Sequence, residues 1–373
     1  IYDLNENIVV SNVVILPNKA KKLASNIDHA SLLTYANNGG NVVVVSEDSG
    51  TQLDVSIFLN QLGIYPSPKG YKYTDFHSGS AAPLAKIEAP RFLNKHVVSE
   101  DVSGLSLEDA SVALVSNSEY LVPLLKASRT SFTTNGDAGK DSVWHTGNEG
   151  YLAVAFQGLN NGRVLWLGSP APLKNTSFNK GLVDSVVQWT FQLKSVIRAT
   201  FAHHKRVDAS GESDLPFVDE DDYYKIKDTA YFEIGLSRYE ADRKTWVPYT
   251  VDEEDVANKV QLEFIMLDPY YRLNLNHTHN TDTEAVYSAL FRLPDQHGMF
   301  TFSVDYKRPG LSYVKVEDVV PVRHLANDEY ARSWEIPNSS VYMAGYGVVV
   351  VGWLAFVVLF IFSGKRNLDT AKK

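Results

Sequence analysis

The longest apolar pattern in the chain lies near its C-terminus. Residues 341–364 contain no charged side chain, and the run Val348-Val349-Val350-Val351-Gly352-Trp353-Leu354-Ala355-Phe356-Val357-Val358-Leu359-Phe360-Ile361-Phe362 is almost wholly apolar. As a helix, residues 341–364 would reach about 36 Å, enough to cross a hydrocarbon core of ~30 Å, and a run this long predicts a membrane span rather than a buried core helix. Tyr342, Tyr346 and Trp353 are placed to serve as interfacial or partner-facing rings, and Gly345, Gly347 and Gly352 to let a neighbouring helix approach. Lys365, Arg366, Lys372 and Lys373 follow the span with only Asp369 against them. Positive flanks stay cytoplasmic, so residues 365–373 are expected to be a cytosolic tail and the long N-terminal part to be extracytoplasmic.

Before the span the pattern changes twice. In residues 1–200, continuous β-branched runs alternate with helical spacing. Residues 12–17 and 41–46 are short apolar runs, and Val42-Val43-Val44-Val45 does not alternate, which marks a strand buried on both faces. Helices are predicted around 30–36, over 53–62 with Gly63 as stop, and over 181–193 with Leu182, Val186, Trp189 and Leu193 on one face. Strands are expected at 110–116, 151–157 and 163–168. The alternation predicts an α/β domain built on a mainly parallel, three-layer sheet. Residues 201–222 read as an acidic linker, with seven carboxylates between Asp208 and Asp222 among Ser, Gly and Pro. Residues 223–338 read as all-β, with strands at 231–236, 260–267, 285–293, 298–306 and 313–322 separated by turns such as Asp295-Gln296-His297-Gly298 and Arg308-Pro309-Gly310. A β-sandwich standing on the membrane is the simplest architecture for them.

Composition narrows the chemistry. The 373 residues include no cysteine, so disulfides, thiolate zinc sites, iron–sulfur clusters and cysteine nucleophiles are excluded. The net charge of −9 argues against a nucleic-acid partner. No G-x-S-x-G elbow and no phosphate-binding glycine loop is present, and nothing calls for a cofactor. His203-His204 and His277-x-His279 are the only close histidine groups. On a strand, His277 and His279 would share a face, but no third ligand is in view, and polar loop positions are the plainer reading. Asp219-Glu220-Asp221 spells D-x-D inside an acidic run, where such a match is expected by chance. No residue is assigned a catalytic, cofactor-binding or metal-binding role. Three N-x-[ST] sequons, at Asn175, Asn276 and Asn338, are the glycosylation candidates. Asn338 lies only three residues before the span, close enough to the membrane to hinder access.

Longer motifs add what composition does not. Asp268-Pro269-Tyr270-Tyr271-Arg272-Leu273 is followed by Phe291-Arg292-Leu293-Pro294-Asp295-Gln296-His297-Gly298-Met299-Phe300-Thr301-Phe302, then by Asp305-Tyr306-Lys307-Arg308-Pro309-Gly310-Leu311-Ser312. Pro321-Val322-Arg323-His324-Leu325-Ala326-Asn327-Asp328-Glu329-Tyr330 and Arg332-Ser333-Trp334-Glu335-Ile336 lead into the span. Upstream are Phe58-Leu59-Asn60-Gln61-Leu62-Gly63-Ile64-Tyr65-Pro66-Ser67-Pro68-Lys69-Gly70, Ser128-Arg129-Thr130-Ser131-Phe132 and Tyr224-Lys225-Ile226-Lys227-Asp228. End to end, the chain resembles the wheat-germ-agglutinin-binding-type subunit of the eukaryotic oligosaccharyltransferase, most closely its fungal members.

That resemblance implies a non-catalytic subunit of the endoplasmic-reticulum complex that transfers a preassembled glycan from dolichyl diphosphate to Asn of nascent N-x-[ST] sites. It implies partners among the other subunits, including the polytopic catalytic one, contact with the lipid bilayer, and a role in positioning the dolichyl-diphosphate-linked glycan or the acceptor. It implies that the first domain is Rossmann-like, similar to glutamine-amidotransferase folds, here without a cysteine nucleophile. The catalytic subunit carries a W-W-D motif, whereas this chain has one span and no Trp-Trp pair. The resemblance also implies a signal peptide and an earlier strand–helix pair ahead of Ile1. A dilysine retrieval signal would need two residues after Lys373. Two other readings remain open on the residues alone: a type I membrane receptor or adhesion protein on a β-sandwich stalk, and a lone glycosyltransferase using Asp219 and Asp221.

Overall fold

The computed structural model describes residues 8–18, 20, 23, 27–77, 84–87, 90, 92–98, 105–135, 143–173, 180–207, 223–251, 258–330 and 338–370. It is a mixed α/β protein with several sheets and one long apolar helix at its C-terminal end. The main N-terminal sheet runs in the order Asn12–Ile15, Asn41–Val45, Arg163–Leu167, Tyr151–Gln157, Ala113–Val115, Ile64–Pro66, and Leu121–Lys126 also pairs with Tyr151–Gln157. Asn41–Val45 lies at the centre of the parallel part, and all five of its residues are buried. The two faces of that strand go to different cores. Val42 and Val44 join Leu32, Tyr35, Phe58 and Trp166, on the side of the helices His29–Asn37 and Leu53–Gln61. Val43 and Val45 join Leu182, Val186 and Trp189 of the helix Lys180–Thr190. An unbroken valine run suits this position because neither face meets water.

Local signals set the helix ends. Asp28 caps His29–Asn37, its Oδ1 accepting from the Ser31 amide at 2.8 Å. Leu53–Gln61 stops before Gly63, whose φ of +87° lies in the glycine-favoured region; a Cβ there would meet Ser116 Oγ at 2.1 Å. The last helix of this region ends at Thr190, short of the predicted 193. Gln192 takes a φ of +59°, and Leu193 is exposed rather than on the buried face.

The sheet is not mainly parallel. Asn41–Val45 is parallel to both of its neighbours, but Tyr151–Gln157 is antiparallel to Arg163–Leu167, Ala113–Val115 and Leu121–Lys126, and Ile64–Pro66 is antiparallel to Ala113–Val115. The reason is topological. Parallel neighbours need crossovers of a dozen or more residues, usually helical, and among the described residues no α-helix lies between Gln61 and Lys180. That stretch instead contributes short strands, among them Tyr71–Thr74, Phe132–Asn135 and Val143–Thr146, which pair in a small antiparallel sheet.

The C-terminal region holds two further sheets of five strands each. One runs Ile197–Val207, Thr229–Glu240, Ala285–Arg292, Asn276–Asn280, with Thr245–Pro248 beside Thr229–Glu240. The other runs Tyr224–Lys225, Val314–Arg323, Gly298–Tyr306, Gln261–Met266, Asp268–Asn274. Their inward residues share one core: Phe232, Ile234 and Leu236 from the first sheet meet Phe264, Phe300 and Phe302 from the second. Phe264 and Phe300 stack at 4.6 Å between centroids. Residues 201–207, expected in the acidic linker, belong instead to the 11-residue strand Ile197–Val207. Its side chains are polar or charged where they face out, so Lys205 and Arg206 masked a strand whose pairing is set by the neighbouring Thr229–Glu240. The apolar C-terminal helix runs from Ser339 to Thr370, longer at both ends than 341–364; the segment Ser339–Ser363 has a mean hydropathy of 2.5 and buries nothing within the chain.

Two buried histidines sit in these sheets. His204 lies between Tyr224 Oη (2.9 Å from Nδ1) and Asp318 Oδ2 (3.0 Å from Nε2), stacked on Phe302 at 4.6 Å. His145 Nε2 lies 2.7 Å from the Gly147 carbonyl. Burial pushes both below the ordinary histidine value, against the opposing pull of Asp318 on His204 and of the Gly147 carbonyl on His145. A depressed pKa in the fold stabilises the protein above the unfolded value near 6.5 and loses that contribution as pH falls below it. The urea midpoint of the full chain in detergent is therefore expected to drop between pH 7.5 and 5.5. His204→Gln and His145→Gln should each flatten that profile; a midpoint independent of pH would contradict this account.

Candidate functional site

The N-terminal and C-terminal regions meet at one turn. Between the strands Gly298–Tyr306 and Val314–Arg323, residues 309–313 reach across, and each makes a hydrogen bond to the N-terminal region or the segment that follows it. Asn94 Nδ2 donates to the Pro309 carbonyl (2.9 Å), Trp189 Nε1 to that of Gly310 (2.8 Å) and Gln157 Nε2 to that of Leu311 (2.6 Å). The Ser312 amide donates to the Ser195 carbonyl (3.2 Å), and the Tyr313 amide to Asn161 Oδ1 (2.8 Å). Gly310 has a φ of +86°, and a Cβ on it would stand 2.8 Å from Asn94 Oδ1, so only glycine fits this docked turn without strain.

At the centre of the joint is Arg163, the first residue of a strand and fully buried. Nη1 donates to the carbonyls of Trp189 (2.5 Å) and Lys194 (2.8 Å). Nη2 donates to the Ser195 carbonyl (2.9 Å) and to Ser312 Oγ (3.1 Å). The guanidinium also lies over the Trp189 ring, 4.6 Å from its centroid. Gln192 and Ser195, at φ of +59° and +58°, curl the segment after the helix Lys180–Thr190 around it. No carboxylate among the described residues pairs with it. Burial pushes its pKa down to about 9, which leaves it charged at neutral pH, so neutral carbonyls and a ring face replace water around a full positive charge.

Beside the joint, a cleft of about 500 Å³ lies between the helix Lys180–Thr190 and the turn that follows Thr229–Glu240. Lys95, Lys194 and Arg238 face Asp184, Glu240 and Asp242 along its walls. Three cations against three carboxylates give no net field to draw a diphosphate, and the lining is too polar for a lipid chain. The geometry is that of a polar seam between two packed regions.

The opposite end of the C-terminal sheets leads to the long helix. Arg323 holds Glu329 through two bonds of 2.8 and 2.9 Å, and Lys225 Nζ reaches the same carboxylate at 2.5 Å. Arg323 first, then Lys225, keep the Glu329 carboxyl well below the usual carboxylate range. The chain leaving the sheet is thus clamped back onto its end through residue 329.

The singled-out residues fall in different places. Asn276 is exposed at the start of the edge strand Asn276–Asn280, and Thr278 Oγ1 lies 2.8 Å from Ser288 Oγ. Asn338 is exposed immediately before the helix Ser339–Thr370, its carbonyl accepting from the Val341 amide at 3.0 Å. Asn175, Asp219 and Asp221 lie outside the described residues. His277 pairs with Asn280 Oδ1 (2.8 Å), a register irregularity separates it from His279, and no group of three or more His, Cys, Asp or Glu able to hold a metal occurs among the described residues. His203 and His204 sit on opposite faces of one strand. Gly345, Gly347 and Gly352 open onto empty space within the chain. Arg163 was missed by the sequence reading: one arginine ahead of Val164-Leu165-Trp166-Leu167 looks like any polar residue at a strand edge, and its ligands come from residues 26 to 149 positions away.

Comparisons with known proteins bear on this architecture. Residues 5–193 match the model for the OST48 N-terminal domain and residues 204–364 that for the OST48 middle domain. The chain belongs to the OST48 family. It is 38% identical, over all of its length and 84% of the relative's, to the dolichyl-diphosphooligosaccharide–protein glycosyltransferase subunit WBP1 of Saccharomyces cerevisiae. It is 28% identical to the subunit wbp1 of Schizosaccharomyces pombe, with 97% of this chain and 84% of that one covered. It is 26% identical to the 48 kDa subunit of Drosophila melanogaster, with 97% and 82% covered. The receptor and lone-glycosyltransferase readings draw no support from these relatives.

Removing the charge at the joint should unfasten it. Arg163→Ala removes four hydrogen bonds and a large buried side chain of the joint, and is expected to cost about 2–5 kcal/mol of stability. Gly310→Ala, which keeps every donor but strains the turn, should cost about 1–2 kcal/mol. Denaturant midpoints of the full chain in detergent, read beside limited proteolysis, check both; an Arg163→Ala protein as stable as the parent would mean that the joint does not need the charge.

Proposed function

We propose that this chain is a non-catalytic, accessory subunit of the oligosaccharyltransferase that transfers a preassembled glycan from dolichyl diphosphate to Asn of N-x-Ser/Thr. The observation that carries this reading is the 38% identity to a subunit of that enzyme along the entire chain. The physical account agrees with it. The strongest polar construction among the described residues, around Arg163, joins the N-terminal region to the C-terminal sheets rather than lining a cavity. Such a chain contributes shape. Its work is to hold a jointed lumenal body on one membrane span, to present that helix to the other subunits, the polytopic catalytic one among them, and to help define the approach of the glycan donor or the acceptor.

The same proposal places the protein in the endoplasmic-reticulum membrane, with the bulk of the chain lumenal and the basic tail cytosolic. Helices on both faces of the central N-terminal strands support a three-layer, Rossmann-like domain, and two sheets sharing one aromatic core support a β-sandwich. The division between the two falls near residues 194–196. Asn276 and Asn175 are proposed as glycan acceptors on the lumenal surface, and Asn338 as one constrained by the membrane.

Mild-detergent solubilisation followed by affinity capture of this chain should bring down the polytopic catalytic subunit. Capture of a clean monomer would overturn the assignment. In the same material, Asn276→Gln should remove one endoglycosidase-H-sensitive glycan, and a mobility unchanged by that substitution would remove Asn276 from the acceptors.

A further inference from the structure

The C-terminal sheets have two ends with opposite fates. One end carries the turn 309–313 and is docked on the N-terminal region. The other carries the turns after Met266 and before Gly298, the strand end at Arg323, and the chain that leaves for the membrane helix. Glu329 is pinned to this second end by Arg323 and Lys225. Tyr330 to Asn338 is then only eight residue steps, a reach of at most about 29 Å. The end is therefore tethered close to the start of the helix, and the docked turn holds the N-terminal region on the far side.

What this end offers is apolar. Leu267, at the tip between Gln261–Met266 and Asp268–Asn274, is 98% exposed and has a φ of +64°. That backbone region favours Gly or Asn, and here it holds a leucine that the fold gives nothing to pack against. Met266 lies against Gly298, next to which Met299 is 58% exposed, and Tyr223 and Tyr330 are exposed around the same end. Arg323 is two strands across the sheet from Leu267, about 10 Å at ~4.8 Å per strand. Most of the basic groups here are paired, Arg323 and Lys225 with Glu329, and Lys227 with Asp295 at 2.6 Å, while Arg292 donates to the Lys227 carbonyl and Asp268 stands exposed beside Leu267. The contact this end offers is therefore carried by its apolar side chains rather than by a basic patch.

We infer that this end of the C-terminal sheets rests on the bilayer that the chain's own helix crosses, with Leu267 inserted at the boundary of headgroups and acyl chains and Tyr223, Tyr330 and Met299 around it. An exposed leucine is stabilised by entering that boundary, and tyrosines are at home in it. A second attachment beside the helix fixes the tilt of the lumenal body, which one attachment point alone does not. The inference rests on residues 339–363 spanning the membrane.

These 373 residues contain no cysteine, so a single introduced thiol gives a signal that can be read after subtracting that of the parent complex labelled in parallel. Single-cysteine variants Leu267→Cys, Leu159→Cys and Val351→Cys of the full chain, captured with its associated subunits, carry an environment-sensitive fluorophore in phosphatidylcholine nanodiscs. Leu159 is exposed on the N-terminal region and serves as the aqueous control, and Val351 reports the span. Nitroxide-labelled lipids with the spin label near the headgroup are expected to quench Leu267→Cys at least about two-fold more than Leu159→Cys, with iodide quenching reduced accordingly. Strong iodide quenching at Leu267 would place the tip in water. Shielding from both quenchers would place it against another protein subunit. Val351→Cys is read with a second lipid whose nitroxide lies deep on the acyl chain; either result at Leu267, with Val351→Cys quenched by that lipid or shielded from iodide, overturns this inference alone, and strong iodide quenching at Val351 overturns the membrane span as well.

Discussion

One buried positive charge organises the molecule. Arg163 begins a strand whose remaining residues are apolar core, and its guanidinium has been taken out of water without a carboxylate partner among the described residues. That is tolerable only if most of its donors are met by fixed acceptors, as Nη1 and Nη2 are, while the buried Nε has none among the described residues. The acceptors come from the end of the helix Lys180–Thr190, from the curled segment 192–195 and from Ser312 in the turn of the C-terminal sheets. Satisfying one side chain thus requires the N-terminal sheet, the segment leaving it and the following sheets to be in place together.

The consequence is a joint with direction. The turn 309–313 is short and bonded at every residue, and its glycine admits no Cβ, so the C-terminal sheets cannot slide or rotate there without breaking several bonds at once. With one end of those sheets fastened, the other is left to carry the link to the membrane helix. The clamp of Arg323 and Lys225 on Glu329 keeps that link short. The balanced charges of the cleft beside the joint fit a seam better than a ligand site.

Much of the fold was legible because the relevant signals were local. Asn41–Val45, Tyr151–Gln157 and Gly298–Tyr306 announce themselves by apolar run or alternation, and Leu53–Gln61 by its period and its glycine stop. Ile197–Val207 was not legible, since it carries Arg198, Lys205 and Arg206 and its strand character comes from the neighbour it pairs with. The direction of the N-terminal pairings was likewise hidden, because it depends on which segments lack a crossover helix. The joint was invisible: Asn94, Gln157, Arg163, Trp189 and Gly310 are unremarkable residues spread over more than 200 positions.

By itself the sequence determined the membrane helix, the absence of thiol chemistry, the change from mixed to all-β patterning and the family resemblance. These are properties of composition and of neighbours within a few residues, and they survive without knowledge of the fold. Only the tertiary structure decided where the buried charge sits, which turn fastens the two regions, and from which end of the C-terminal sheets the chain leaves for the long helix. Those depend on desolvation and on contacts between distant segments, and such energies exist only once the chain has closed on itself.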